Sequence, residues 1–311
     1  MRKIGFLFAG QGAQYAGMGK DLYDNFECVR RIFEKADNIL NIDIKKLCFE
    51  GPDEELSKTE NTQPAILTTS TAIASILNEN NIKADYAAGL SLGEYSALVY
   101  GNAFTFEDGL KIIYERGKLM QNAALDYEGG MAAIIGISRD IVESCCNELK
   151  IHGTIEVANY NCPGQTVITG EKALVQRAAE ILKEKGALKA VLLNVSGPFH
   201  SSLMKNAGLK LEEILKNSKI QSPSINILSN YDNEYYDDDI EKTIVKLKYQ
   251  ISSPVRFEEN IIKLINDGVN TFIEIGPSKT LSSFVKKIDK TKSIYNVENI
   301  KTFEKVLKEL S

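Results

Sequence analysis

The chain has 311 residues, 43% hydrophobic and 25% charged, the make-up of one large globular domain or two modest ones and not of a disordered or fibrous chain. Its 37 Lys and Arg stand against 42 Asp and Glu, a net charge of -5, so the basic excess of a nucleic-acid binder is missing. No apolar run approaches the ~18 residues that a membrane-spanning helix needs, and no membrane association is expected.

Met1-Arg2-Lys3 followed by Ile4–Phe8 resembles a secretory leader. The apolar stretch is shorter than the roughly 7 to 15 residues of such a core and runs into Gly10-Gln11-Gly12, so Ile4–Phe8 reads as a first buried strand. The protein is then expected to stay in the cytoplasm. Helices follow at Leu22–Leu40 and Pro64–Asn78, a strand at Tyr86–Gly89 and a helix at Glu107–Ala124. The middle predicts strand Met131–Ile137, helix Ile141–Leu149, strands Thr154–Asn159 and Gln165–Gly170, helix Leu174–Lys185 and strand Lys189–Val195. That β-α-β-β-α-β order is the split pattern of a small ferredoxin-like unit. Beyond it lie helix Ser201–Leu215, strand Ile225–Leu228, helix Arg256–Asn266, strands Thr271–Ile275 and Ser293–Val297, and helix Ile300–Leu310. Asp237-Asp238-Asp239 reads as a solvated turn.

Apolar β-branched runs alternating with helical periods predict an α/β protein. Residues 129–195 form the expected insert, with Gly129-Gly130 at its start and Ser196-Gly197-Pro198 at its end. Residues 1–128 and 196–311 then make one larger, discontinuous unit, and a ligand is expected in the cleft between the two. The five cysteines, Cys28, Cys48, Cys145, Cys146 and Cys162, are odd in number and form no CxxC. They predict free, reduced thiols, with neither a disulfide frame nor a zinc site.

Gly89-Leu90-Ser91-Leu92-Gly93 matches G-x-S-x-G between a strand and a potential helix, the setting in which a sharp turn exposes a serine nucleophile. The bland alternative is a strand-helix turn with a capping serine. A serine needs a base, and the chain offers only His152 and His200. His152 sits in a polar connection and reads as a solvated turn residue. His200 lies between a strand end and a helix start, where catalytic groups gather in α/β sheets, and is the base candidate. Arg116 shares a helical stripe with Ile112, Leu119 and Ala123. A guanidinium there meets either an internal carboxylate or an anionic ligand. Gly10-Gln11-Gly12 lacks the third glycine of a dinucleotide loop, since Tyr15 stands in its place. It reads better as a turn whose backbone N–H groups face a bound oxygen.

In order along the chain stand Phe8-Ala9-Gly10-Gln11-Gly12, Gly89-Leu90-Ser91-Leu92-Gly93-Glu94, Arg116, Asn159–Gly170, Pro198-Phe199-His200-Ser201, Gln250, Ser253-Pro254-Val255-Arg256 and Glu274-Ile275-Gly276-Pro277. Together they resemble the malonyl-CoA:acyl carrier protein transacylase family over the whole chain. The resemblance implies an acyltransferase with a hydrolase-like α/β large subdomain and an inserted ferredoxin-like βαββαβ small subdomain. It implies Ser91 as nucleophile, His200 as general base and acid, and the Gln11 and Leu92 amides as oxyanion hole. It further implies Arg116 on the substrate carboxylate, Gln250 orienting the histidine through its carbonyl, and Phe199, Met120 and Asn161 lining the acyl pocket. Malonyl-CoA and acyl carrier protein are the implied partners of a ping-pong transfer that feeds fatty-acid synthesis. No cofactor or metal is expected, because the coenzyme A thioester is a substrate, and a monomer suits the polar helix faces. Lys286, Lys287, Lys290 and Lys292, or Lys183, Lys185 and Lys189, are the basic clusters that could dock an acidic carrier.

The family usually has histidine where this chain has Leu90, so no second imidazole competes with His200; Gly197 and Ser278 are smaller departures. A neutral acyl group would leave Arg116 unpaired, at ~3 to 5 kcal/mol, or roughly 10² to 10³ in discrimination. Rival readings are a serine esterase or thioesterase, a polyketide-pathway acyltransferase, and an idle coenzyme-binding or carrier-docking module.

Overall fold

The computed structural model describes residues 2–195 and 197–310; Met1, Ser196 of the expected insert end, and Ser311 lie outside them. Nine strands are described: β1 (Ile4–Phe8), β2 (Tyr86–Gly89), β3 (Gly129–Ile135), β4 (Ile155–Cys162), β5 (Gln165–Glu171), β6 (Lys189–Leu192), β7 (Asn226–Ile227), β8 (Thr271–Ile275) and β9 (Ser293–Val297). They form two sheets. The larger runs β7-β2-β1-β8-β9, parallel throughout.

Side chains alternate across this sheet. Phe6 and Phe8 enter the core beneath helices Thr59–Glu79, Leu92–Tyr100 and Phe106–Leu125. Leu7, Ala88 and Phe272 pack on the other face against helices Phe257–Asn266 and Thr280–Ile288. A parallel sheet covered on both faces selects near-continuous apolar runs, which is why β1 and β8 are recognisable as IGFLF and TFIEI.

The second sheet, β4-β5-β3-β6, is antiparallel. With helices Arg139–Leu149 and Lys172–Glu184 it has the ferredoxin-like order and its own core around Ile134, Val142, Ile155 and Ile168. The chain is thus an α/β hydrolase-like unit carrying a ferredoxin-like one. The two are laced together where Tyr160 N donates to Val255 O at 2.9 Å and Val255 N to Ala158 O at 2.8 Å. No helix among the described residues is long and apolar enough to cross a membrane. The five cysteines are buried and free.

β1, β2, β8, β9 and the last helix, Ile300–Leu310, keep their expected bounds. The expected helix Leu22–Leu40 instead breaks at Phe26, whose extended backbone separates Lys20–Asn25 from Glu27–Leu40. The break seats the Phe26 ring edge-on against Phe303, with centroids 5.4 Å apart. Helix Ser201–Leu215 is a 3-10 turn, Ser202–Met204, followed by Lys205–Lys216. The strands expected at Ile225–Leu228 and Lys189–Val195 shorten to β7 and β6, both at sheet edges. Of the helices longer than one turn, three were not anticipated: Ile44–Glu50, Ile240–Gln250 and Thr280–Ile288. The acidic turn is more than solvated surface, because Asp239 accepts from Lys242 N at 3.1 Å and caps the second of these helices.

Ile168 has no exposure and sits at the centre of the small core. Ile168→Ala should cost about 2 to 5 kcal/mol by leaving a cavity, read as a lowered denaturant midpoint with an unchanged slope.

Candidate active site

β1 and β2 lie side by side in parallel, so both of their carboxyl ends open on the same edge of the sheet. One feeds the loop through Gly10 and Gln11. The other feeds the turn at Ser91, after which the helix Leu92–Tyr100 begins at once. Ser91 has φ 54° and ψ -106°, a strained geometry for a residue with a side chain. The turn is tight enough that a Cβ on Gly93 would stand 2.1 Å from the Phe8 carbonyl oxygen, and one on Gly89 2.0 Å from the Gly93 backbone. Asn230 pins it, accepting from Ser91 N at 2.7 Å and donating through Nδ2 to Gly89 O at 2.8 Å.

His200, also at positive φ (59°), brings Nε2 to 2.8 Å from Ser91 Oγ. Its Nδ1 is 2.9 Å from the Gln250 carbonyl oxygen. A carbonyl only accepts, so Nδ1 carries the proton and Nε2 is free to accept the serine hydroxyl. Burial, with the Arg116 cation close by, pushes the imidazole down to about 4. The base is therefore neutral at ordinary pH. His152, by contrast, is exposed in the turn Lys150–His152 of the small unit.

Arg116 has no solvent exposure. Nη1 donates to Gln63 Oε1 at 2.7 Å, and Nη2 to Gln250 Oε1 at 2.8 Å and to Ser91 Oγ at 3.1 Å. Its Cζ lies 5.2 Å from the centre of the Tyr95 ring. Among the described residues these are three engagements for five N–H donors, and Nε has no partner. The Gln250 side chain thus serves the arginine while its carbonyl serves the histidine.

In front of Ser91 lies a cavity of about 230 Å³ lined by residues of both units, among them Gln11, Leu90, Met120, Asn159, Asn161, Phe199 and His200. Asn161 Oδ1 is buried there without a partner. Gln11 lines the cavity beside Leu90, and the turn before it packs so closely that a Cβ on Gly10 would meet the Leu90 carbonyl oxygen at 2.5 Å. The Leu92 amide opens its helix and so has no acceptor within it. Among the described residues no cluster of His, Cys, Asp and Glu could hold a metal ion.

The acyl transferase domain profile matches residues 5–306. The malonyl CoA-acyl carrier protein transacylase of Bacillus subtilis is 44% identical over 99% of this chain and 98% of its own. A crystal structure of the protein of that name from Clostridium perfringens superposes with TM-score 0.95 at 46% identity, covering 99% of this chain and 97% of the other. A solved complex of a malonyl-transacylase with a type II polyketide-synthase acyl-carrier protein has TM-score 0.95 at 36% identity and covers 99% of both chains. The chain belongs to the acyl transferase family.

Leu90 places an apolar side chain on the cavity wall, and among the described residues His200 is the one imidazole that lines it. Four residues of the site escaped sequence reasoning as contributors: Gln63, Asn230, Tyr236 and, beyond its place in the motif, Glu94. Glu94 is fully buried and accepts from the Tyr236 hydroxyl, from Gln250 Nε2 at 2.8 Å and from Asn230 N at 3.2 Å. The one advance signal was Glu94 itself, a charge in an otherwise apolar helix start.

Because His200 is held near 4 and not at the ordinary 6.5, acylation of Ser91 by a neutral thioester should stay level as pH falls from 8 to 5. It should decline only as the imidazole protonates toward 4. A decline centred near 6.5 in the pre-steady-state rate would contradict this.

Proposed function

We propose that the protein moves a malonyl group from malonyl-CoA to the phosphopantetheine thiol of acyl carrier protein through an ester on Ser91. The observation that carries this reading is the placement of Arg116. Its Nη2 reaches the nucleophile Oγ at 3.1 Å, and among the described residues its Nε has no acceptor. In a malonyl ester the carboxyl carbon is three bonds from Oγ, within reach of that guanidinium. The names of the similar proteins support the same substrate and acceptor.

In this mechanism the Ser91 hydroxyl gives its proton to His200 Nε2 as Oγ attacks the thioester carbonyl, and the carbonyl oxygen becomes an oxyanion held by the Gln11 and Leu92 amides. The tetrahedral intermediate collapses, the C–S bond breaks, and coenzyme A leaves as the thiol with the proton from His200. The carrier thiol then gives its proton to His200 and attacks the ester, and Ser91 recovers a proton as it leaves. Acylation turns Oγ into an ester oxygen, a poor acceptor, which frees Nη2 to pair with the malonyl carboxylate. Met120, Phe199 and Asn161 shape the acyl pocket. No cofactor enters any step.

In this reading 1–128 and 196–311 are the catalytic unit and 129–195 is the unit that closes the cavity. For the carrier, the cluster Lys286, Lys287 and Lys290 is exposed, and Lys287 Nζ donates to Gln165, a cavity-lining residue, at 3.2 Å. It is the better placed of the two basic patches. The polyketide carrier bound to a similar protein makes delivery to such a carrier the second reading.

Intact mass after brief exposure to malonyl-CoA should rise by one malonyl group, and Ser91→Ala should show no gain. Free malonate without an adduct or transfer would instead make the protein a thioesterase. Arg116 also calls for a smaller selectivity than the bare-cation argument gives, because Gln63, Gln250 and Ser91 already occupy it in the empty site. A hydrogen bond to a charged group is worth about 1.5 to 3 kcal/mol. Arg116→Ala should therefore cut the malonyl-over-acetyl ratio of kcat/KM by about ten- to a hundredfold. An equal loss for both thioesters would make Arg116 purely structural.

A further inference from the structure

The buried charge that this mechanism leaves unused is Glu94. It stands in the first turn of the helix Leu92–Tyr100 and has no solvent exposure. Its Oε2 accepts from Gln250 Nε2 at 2.8 Å, and the same Nε2 donates to the Ser91 carbonyl at 2.8 Å. At the other end of that amide, Oε1 accepts from Arg116 Nη2 at 2.8 Å. A primary amide has a donating and an accepting end of nearly the same shape. Its neighbours decide which end faces which way.

The Ser91 carbonyl is a shared acceptor here, since Glu94 N also donates to it at 3.1 Å. The carboxylate is the stronger attraction for the Gln250 NH2. With that end committed, Oε1 is left for the guanidinium, which can only donate. Asn230 N and the Tyr236 hydroxyl hold the carboxylate in place. Among the described residues no carboxylate is in ion-pair contact with Arg116, so Glu94, one amide away, is its countercharge. Burial pushes the Glu94 carboxyl up to about 7, against the pull of Tyr236, Gln250, Asn230 and Arg116. A large share is therefore ionised at neutral pH.

We infer that Glu94 is a positioning residue for carboxylate recognition: it sets the polarity of the Gln250 amide and so holds the Arg116 guanidinium where an acyl carboxylate can pair with it. The inference rests on the malonyl reading given above. In Glu94→Gln the oxygen stays toward Gln250 Nε2 and Asn230 N, which both donate, and the NH2 turns to the Tyr236 hydroxyl, so the contact to Gln250 becomes a neutral one. The Gln250 amide is then held by neutral acceptors alone and Arg116 loses its countercharge, so the guanidinium is no longer fixed where the acyl carboxylate needs it. An acetyl group carries no carboxylate to pair with Arg116, so a shift of the guanidinium reaches it only through Ser91 Oγ and His200, an effect that both thioesters share.

The test is the second-order rate of acyl-enzyme formation, by rapid quench and intact mass, from malonyl-CoA and from acetyl-CoA. It compares wild type, Glu94→Gln, Gln250→Met and the double variant. Glu94→Gln should lower the malonyl-to-acetyl ratio about tenfold, the scale of one lost hydrogen bond to a charged group. The double variant should be no less selective than the worse single one, because both changes act on the same contact. Equal losses for the two thioesters, or an unchanged ratio, would overturn the inference. Should Glu94→Gln fail to fold by its melting curve, Tyr236→Phe frees one oxygen of the carboxylate and should lower the ratio about threefold; no change there overturns it equally. A wild type with no malonyl preference would sink the malonyl reading itself, and this inference with it.

Discussion

An arginine with no solvent exposure and, among the described residues, no carboxylate in contact is the constraint around which the catalytic end of the sheet is organised. An unpaired buried cation costs several kcal/mol, while a directly paired one has no capacity left for a ligand. Here the charge is met part-way. Two amide oxygens, a hydroxyl and an aromatic ring surround the guanidinium, and the countercharge waits behind one of those amides. Each partner comes from a different element: Gln63 from Thr59–Glu79, Ser91 from the turn after β2, and Gln250 from the end of Ile240–Gln250. The helices must therefore pack in register for the charge to be tolerated at all, which couples the stability of the core to the geometry of the site.

What could be read in advance follows the range of the interactions. The elbow at Ser91 is a local device, made by glycines two residues to either side, and is visible in five letters. β1 and β8 are visible because burial on both faces leaves few polar positions. The helical stripe of Arg116 marked it as inward-facing, but its partners are 53 and 134 residues away and are plain glutamines. Nothing local distinguishes such residues from surface ones. Gln250 was identified only by resemblance, since the helix that delivers it mixes Lys242, Lys246 and Lys248 with its apolar positions. Burial of Lys246, whose Nζ donates to the Tyr235 carbonyl at 2.9 Å, is a tertiary fact. So is the break at Phe26, made by a ring 277 residues later in the chain. Asn230, which holds the elbow from across the sheet, lies in a stretch with no helical or strand period to announce it.

The same cation explains why a backbone carbonyl can serve where other serine enzymes place a carboxylate. A carboxylate beside His200 would raise its basicity, but it would also compete with the substrate for Arg116. The Gln250 carbonyl fixes the tautomer without adding charge. The imidazole is left weakly basic, lowered first by burial and then by the Arg116 field. A carboxylate delivered by the substrate cancels that second contribution, so the base regains strength when an anionic acyl group occupies the site. Water or a neutral thioester brings no such charge. Selectivity then has two sources in one pairing, grip on the acyl group and activation of the base, and both pass through the guanidinium that the fold keeps buried and incompletely satisfied.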